Sequence, residues 1–179
     1  SCTANAQNGF TTFTTNLSLT GTGLKQTAFL VDNGGNKWMA FKPLNLISSN
    51  VGLVKYNNTS WTLFNTTSSP ALPSNKVTAL AKDNSGNIWI GMSDSGLVRY
   101  NGVSFFNYRV SNGLPSGAIN CIETIGNQVY IGTNAGLSRY DGVSFTNYNV
   151  ANSSLPSDTV MSIKAENSVS QKHVSIHRI

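Results

Sequence analysis

The stretch that decides the fold is residues 72–100, which read LPSNKVTALAKDNSGNIWIGMSDSGLVRY. Short apolar or alternating segments are separated here by clusters of Asp, Asn, Ser and Gly. These residues favour turns because Asp and Asn side chains hydrogen-bond the backbone and Gly adopts positive φ. Asn101-Gly102, which follows, is a strong hairpin signal. The stretch predicts four short antiparallel strands, at residues 76–82, 88–91, 97–100 and 103–108.

The same pattern recurs along the chain. A Gly-Leu-x-Lys/Arg-Tyr-Asn/Asp motif begins at Gly52, Gly96 and Gly136, so that its starts lie 44 (96 minus 52) and 40 (136 minus 96) residues apart. Two further series keep the same period: Leu-Pro-Ser at 72, 114 and 155, and aromatic pairs at 10/13, 61/64, 105/108 and 145/148. A period of about 40–45 residues that contains only strand and turn signals is typical of a propeller blade. The prediction is an all-β β-propeller built of four-stranded antiparallel blades, with about four blades.

The repeats divide the chain into three parts. Residues 1–6 are interpreted as the remnant of an export signal, because Ala4-Asn5-Ala6 has the small-x-small pattern of a signal-peptidase site. Residues 7–168 are the propeller repeats, with units near 22–64, 65–108 and 109–148 and a partial unit at 149–168, and residues 169–179 are a divergent tail. Phe10 to Phe13 resembles a lone fourth strand. A small closed ring and an incomplete ring that is part of a larger one both fit this arrangement.

Composition excludes several classes of protein. The chain has 179 residues, 39% of them hydrophobic and 11% charged, and no apolar run reaches the ~20 residues of a membrane-spanning helix. Its net charge is +5, but the basic residues are scattered singly, so no nucleic-acid partner is expected. Cys2 and Cys121 form neither a metal-binding pattern nor a disulfide framework.

The large aromatic residues are predicted to be structural. They recur at two fixed positions of each unit, the second strand and the end of the third, where they would fill space between neighbouring blades. These residues are Trp38, Trp89 and Tyr130 on second strands, and Tyr56, Tyr100 and Tyr140 on third strands.

No catalytic residues, cofactor or metal site is predicted, and the protein is not expected to be an enzyme. The acidic residues mostly occupy repeat turns, so they do not form the carboxylate pair of a glycosidase. His173 and His177 lie in a segment of strand character, and no third ligand lies near them in the sequence.

Residues 72–100 resemble the two-component-regulator propeller repeat of bacterial sensor proteins, in the motifs Leu-Pro-Ser-Asn, Asp-Asn-Ser-Gly-Asn-Ile-Trp-Ile-Gly and Gly-Leu-Val-Arg-Tyr. Residues 114–148 resemble it well, and 22–64 with an insertion near 43–50. The resemblance implies a propeller that serves as the extracytoplasmic sensing part of a two-component system, often for carbohydrate fragments. The same repeat also occurs in secreted or surface proteins without a signalling module.

Two functions follow from this resemblance. The first is a periplasmic or secreted binding and sensing module for an oligosaccharide or another small polar ligand. Its ligand would meet the loops that enter the first strands and join the second strands to the third, and the candidate residues are Asn75, Lys76, Ser93, Asp94, Asn134 and Asp158. The second is a structural or adhesive propeller of a surface protein with no small ligand, whose partners would be further blades or copies of itself.

Overall fold

The computed structural model describes residues 24–43, 51–167 and 172–176. The predicted export signal, the Phe10–Phe13 strand and the insertion near 43–50 fall largely outside these ranges. The strands are β1 Leu24–Val31, β2 Lys37–Pro43, β3 Gly52–Tyr56, β4 Trp61–Phe64, β5 Val77–Lys82, β6 Ile88–Met92, β7 Leu97–Tyr100, β8 Phe105–Tyr108, β9 Ile119–Ile125, β10 Gln128–Thr133, β11 Gly136–Tyr140, β12 Phe145–Tyr148, β13 Ile163–Asn167 and β14 Lys172–Ile176. A single 3₁₀ turn, Val110–Asn112, follows β8.

These strands form successive antiparallel meanders, which confirms the all-β class. β1–β4, β5–β8 and β9–β12 are three four-stranded sheets in sequential order, here named blades 1, 2 and 3, and β13 pairs with β14 in a two-stranded blade 4. The blades pack side by side in chain order, with the first strand of each against the first strand of the next. We call the third and fourth strands of a blade its outer hairpin.

A β-bulge in each of three first strands joins neighbouring blades. The extra residue is Thr27 in β1, Thr78 in β5 and Asn120 in β9. A bulge re-aims one side chain, and each of these side chains donates a hydrogen bond to a backbone carbonyl in the first strand of the next blade or just before it. The three bonds are Thr27 Oγ1 to Val77 O at 2.8 Å, Thr78 Oγ1 to Ile119 O at 2.6 Å and Asn120 Nδ2 to Val160 O at 3.2 Å.

Small residues on the second strands let the blades approach closely. A Cβ added to Gly91 would lie 2.6 Å from Ile119 Cγ2, and one added to Gly132 would lie 2.8 Å from Val160 Cγ1 and also meet Cys121 Sγ. Ala40, at the matching place in blade 1, is fully buried. Since contacts this short do not occur between real atoms, a larger side chain at either glycine would force the sheets apart.

An aspartate organises the turn between the first and second strands of blades 1 and 2. Asp83 accepts hydrogen bonds from the backbone N–H groups of Ser85 at 3.0 Å and Asn87 at 2.9 Å, and from Trp89 Nε1 at 2.9 Å. Asp32 does the same in blade 1, where Trp38 Nε1 donates to it at 2.9 Å. Each aspartate thereby ties its turn to the indole of a buried tryptophan.

The structure moves the start of the fourth strand of blade 2 and shows how its first strand is buried. The fourth strand of blade 2 begins at Phe105, because Asn101 Oδ1 accepts hydrogen bonds from the N–H groups of Val103 and Ser104 and holds both in the turn. Along the first strand of blade 2, Val77 and Ala81 are buried and the other residues are partly buried.

The divergent tail contributes β14, a strand in register with the other second strands. Ile176 lies opposite Ile163 and Ser175 opposite Lys164, as Ile90 lies opposite Leu80 in blade 2. Ser175 therefore falls at the position that tryptophan or tyrosine holds in blades 1 to 3.

Candidate functional site

The six candidate binding residues lie at one edge of the blades. In a meander, the start of the first strand and the loop between the second and third strands meet at the same edge. Backbone hydrogen bonds join them: Ser93 N donates to Lys76 O at 3.0 Å, and Gly136 N donates to Asp158 O. We call this the loop edge, and the opposite one, which carries Asp32 and Asp83, the turn edge.

An ion pair forms the charged part of the loop edge. Lys76 Nζ lies 3.0 Å from Asp94 Oδ2, and the two side chains are 55% and 37% exposed. Partial burial raises the pKa of Asp94, but hydrogen bonds from Lys76, Ser74 and Ser95 and the positive charge of Lys76 outweigh it, so the pKa lies below its usual value. At neutral pH the ionised Asp94 therefore only accepts hydrogen bonds and the Lys76 ammonium only donates them, and the two charges of the pair cancel.

Three other candidates at the loop edge already make internal hydrogen bonds. Asn75 Oδ1 accepts from Thr66 N at 2.9 Å, and Asp158 Oδ1 accepts from Val150 N at 2.8 Å, so both hold the loop that precedes a first strand. Asn134 Oδ1 accepts from Asn120 Nδ2 at 2.9 Å. Ser93 is exposed. Among these candidates, the ion pair of Lys76 and Asp94 therefore offers the strongest hydrogen-bonding groups for a ligand.

Aromatic grooves lie between the blades, farther from the first strands. Groove 1, on blade 1, is formed by Trp38 and Phe64, and the outer hairpin of blade 2 fills it with Tyr100 and Phe105. Tyr100 lies 5.7 Å from Trp38 and 5.6 Å from Phe64, and Phe105 lies 5.5 Å from Phe64, measured between ring centroids. Rings at these separations stabilise the fold by more than the burial of their surface area alone would.

Groove 2 repeats this geometry on blade 2. It is formed by Trp89 and Tyr108, and Tyr140 and Phe145 of blade 3 fill it. Tyr140 lies 5.7 Å from Trp89 and 5.3 Å from Tyr108, and Phe145 lies 5.7 Å from Tyr108. Burial, together with the hydrogen bond to the Tyr108 hydroxyl, raises the pKa of Tyr140 to about 12. Tyr140 is therefore a neutral, buried packing residue.

Groove 3, on blade 3, has the matching residues Tyr130 and Tyr148. It borders an open, solvent-accessible depression of about 430 Å³, lined also by Leu137, Arg139 and the loop 153–156. Leu72 and Leu114, which precede blades 2 and 3, are each 2% exposed, whereas the matching Leu155 is only partly buried. Groove 3 thus has walls like those of grooves 1 and 2, and among the described residues no aromatic pair enters it.

Tyr130, predicted to be a structural aromatic residue of a second strand, lies in β10. The sequence did not indicate groove 3. Tyr148 and Arg139 were seen only as repeat members, and Leu155 as part of the Leu-Pro-Ser motif.

The remaining potentially reactive groups are a thiol and the acidic and histidine side chains. Burial raises the pKa of the Cys121 thiol to about 11, so the thiol is protonated and unreactive at neutral pH. Within residues 24–43, 51–167 and 172–176, no group of three or more His, Cys, Asp or Glu side chains could hold a metal ion. In the same residues no helix is long and apolar enough to cross a membrane.

A family model matches part of blade 2. Residues 71–94 match the model of the two component regulator propeller family. The resemblance expected from the sequence is confirmed in that segment, so this chain carries the two component regulator propeller repeat. The matched residues run from the Leu-Pro-Ser loop through β5 and β6 to Asp94. No curated protein matches this chain.

Several solved structures share the fold of this chain. The extracellular domain assigned to the hybrid two component system BT3049 of B. thetaiotaomicron is 20% identical, with a TM-score of 0.68 over 80% of this chain and 21% of that one. The corresponding domain of BT4673 is 18% identical, with a TM-score of 0.67 over 88% of this chain and 23% of that one.

A third similar structure is PorZ of Porphyromonas gingivalis, a bacterial surface component of the type-IX secretion system. It is 17% identical, with a TM-score of 0.62 over 78% of this chain and 23% of that one. This chain therefore spans about a fifth of the length of these solved structures.

Proposed function

We propose that this chain is a ligand-recognising part of an exported sensor of the two-component type, and that it binds a carbohydrate-like ligand at the loop edge. The observation that carries the proposal is the regulator propeller repeat at residues 71–94, which ends at Asp94 of the exposed ion pair. Two of the similar structures are extracellular domains of two component systems. They support a periplasmic or secreted location for this chain as well.

The chemistry of the loop edge suits a neutral polyhydroxylated ligand. A sugar hydroxyl both donates and accepts hydrogen bonds; the Asp94 carboxylate only accepts and the Lys76 ammonium only donates. One ring with adjacent hydroxyls satisfies both, and the neutral pair offers no net attraction to a strongly charged ligand. Ser93 adds an exposed hydroxyl beside them.

Calorimetry of the 179-residue protein against a panel of oligosaccharides tests the proposal. Lys76→Ala and Asp94→Asn should each weaken binding of the responding sugar at least tenfold, which corresponds to about 1.4 kcal/mol. Lys82→Ala is the matched control, because Lys82 ends the same strand at the turn edge, where its Nζ donates to Asn33 Oδ1 at 2.8 Å. A folded protein that binds no sugar in the panel contradicts the proposal.

That negative result would favour a structural or adhesive propeller, the alternative that the likeness to PorZ supports. Equal loss of binding in Lys82→Ala would place the ligand away from the loop edge. Turnover of a glycan that is abolished in Asp94→Asn would overturn both functions in favour of an enzyme.

A further inference from the structure

The loops that lead into blades 2, 3 and 4 differ in one side chain. The residue after the Leu-Pro-Ser motif is Asn75 before blade 2 and Asp158 before blade 4. Asn75 Oδ1 accepts a hydrogen bond from Thr66 N at 2.9 Å, and Asp158 Oδ1 accepts one from Val150 N at 2.8 Å, so each side chain ties the end of its loop to the beginning. Before blade 3 the same place is held by Gly117, which has no side chain to make this bond.

The loop into blade 3 otherwise has the same hydrogen bonds as the loop into blade 4. At its beginning Arg109 N donates to Asn112 Oδ1 at 2.9 Å, as Asn149 N donates to Asn152 Oδ1 at 2.8 Å in the next loop. At the far end of both loops, the backbone carbonyl of the residue after Leu-Pro-Ser accepts a hydrogen bond from the glycine that begins the preceding third-strand motif. Gly117 and Asp158 therefore hold equivalent places, and only the side chain is missing.

The fold does not require a glycine at position 117. The φ of Gly117 is not positive, and a Cβ added to it would come no closer than 3.7 Å to another atom, which is an ordinary van der Waals contact. Every other glycine in the described residues has either a positive φ or an added-Cβ contact of 3.3 Å or less. Neither backbone conformation nor packing thus accounts for the absence of a side chain at this place.

The space beside Gly117 adjoins the ion pair of the loop edge. The nearest atom to its added Cβ is the backbone oxygen of Asp94, and the Asp94 carboxylate is paired with Lys76 Nζ at 3.0 Å. Gly96 N donates to Gly117 O at 2.9 Å and so holds Gly117 against the loop that carries Asp94. An asparagine or aspartate at position 117, as in the other two loops, would occupy part of this space.

We propose that Gly117 is a specificity-determining residue of the loop edge, because it keeps open the space in which a sugar ring lies beside Asp94. This inference rests on the sugar-binding function proposed above. A glycine allows a ligand to approach the backbone closely, and the hydroxyls of the ring then reach Asp94 and Lys76. The equivalent places in the other two loops are filled by Asn75 and Asp158, so each chain binds one sugar, at the junction of blades 2 and 3.

The variant Gly117→Asn tests the inference, with calorimetry against the sugar that responds in the oligosaccharide panel. The wild-type protein should bind one sugar per chain, and the variant should bind it at least tenfold more weakly. Its Tm should not fall, because the amide can accept from Val110 N as Asn75 does from Thr66 N, and because replacing a glycine restricts the unfolded chain. Gly117→Ala, which adds only a methyl group, should weaken binding less than Gly117→Asn does.

Gly86→Asn is the matched control. Gly86 lies at the turn edge, a Cβ added to it meets no atom within 4 Å, and asparagine tolerates its positive φ of 82°. Binding of the sugar should therefore be unchanged in this variant. An equal loss of affinity in Gly86→Asn and Gly117→Asn would overturn the inference.

Hydrogen exchange of the wild-type protein locates the sugar without any substitution. The sugar should slow exchange of the amides at 93–96 and 116–118 and leave those at 150–158 unchanged. Protection at 150–158 instead would overturn the inference, as would a sugar whose binding is weakened by Asp94→Asn but not by Gly117→Asn. A folded protein that binds no sugar overturns the proposed function as well, so the two failures give different results.

Discussion

Replacing Asp83 with alanine removes the acceptor that ties the blade 2 turn to its tryptophan. The ring of Trp89 is 2% exposed, so its N–H cannot turn to water and is left unsatisfied, at a cost of about 1–3 kcal/mol. The backbone N–H groups of Ser85 and Asn87 lose their partner as well, but they lie in a turn at the surface and recover part of the energy from water. The expected total is about 3 kcal/mol, and in a chain of this length that lowers Tm by roughly 6–12 °C.

The assay is thermal and urea unfolding followed by circular dichroism, with Trp89→Phe as a second background. Phenylalanine fills much of the same space but carries no N–H, so Asp83→Ala should cost only about 1 kcal/mol in that background. Asp94→Ala is the control, because it breaks an exposed ion pair whose contribution is expected to be within about 1 kcal/mol. A cost below 1 kcal/mol for Asp83→Ala, or an equal cost in both backgrounds, would refute the reasoning.

Three further predictions concern the joints between blades and the turn edge. Thr78→Val keeps the shape of the bulge but removes the hydrogen bond to Ile119 O, and urea unfolding should show a loss of about 1 kcal/mol. Gly132→Ala drives a methyl group against Cys121 Sγ and should destabilise the fold by about 2 kcal/mol in the same assay. Burial raises the pKa of Asp32, but hydrogen bonds from Trp38, Asn36 and Gly34 lower it by more, so the pKa lies below its usual value. Ionised Asp32 therefore stabilises the fold above pH ~4, and the free energy of unfolding should decline as pH falls through this lowered pKa.

Each of these predictions has its own control. Thr62→Val, on an exposed strand position, should change stability by less than about 0.5 kcal/mol. Gly117→Ala meets no atom closer than 3.7 Å and should be tolerated. For the pH effect, Asp32→Asn should flatten the decline below pH ~4, and an unchanged slope would contradict the assignment to Asp32.

The sequence was sufficient to predict the blades because each contains its own strand and turn signals. Gly96-Leu97-Val98-Arg99-Tyr100 and its copies specify third strands, and the Asn-Gly and Asp-Gly turns specify the outer hairpins. The all-β class and the order of strands follow from these local signals alone.

The joints between blades could not be predicted in the same way. Thr27, Thr78 and Asn120 are unremarkable polar residues in sequence, and only the bulge that re-aims them shows that they bind the next blade. The strand β14 could not be predicted either. The tail lacks the Trp of the second-strand motif, and its pairing with β13 depends on hydrogen bonds that composition does not reveal.

Candidate site residues were predicted only by position. Lys76 and Asp94 are 18 residues apart by subtraction (94 minus 76), and that they form an ion pair depends on how the loops fold over the edge. Asn75 and Asp158 carry side chains suited to a ligand, yet their hydrogen bonds run to their own loops. Sequence alone does not distinguish these two uses of an amide or a carboxylate.

The aromatic contacts bear on how such a chain grows. Blades 2 and 3 each present a Tyr-Phe pair on one face and an aromatic groove on the other, so the two faces of a single repeat are complementary. A gene duplication that copies one repeat would therefore supply both halves of the new joint at once, with no compensating change in its neighbours. A change in the number of repeats therefore need not disturb the joints between them.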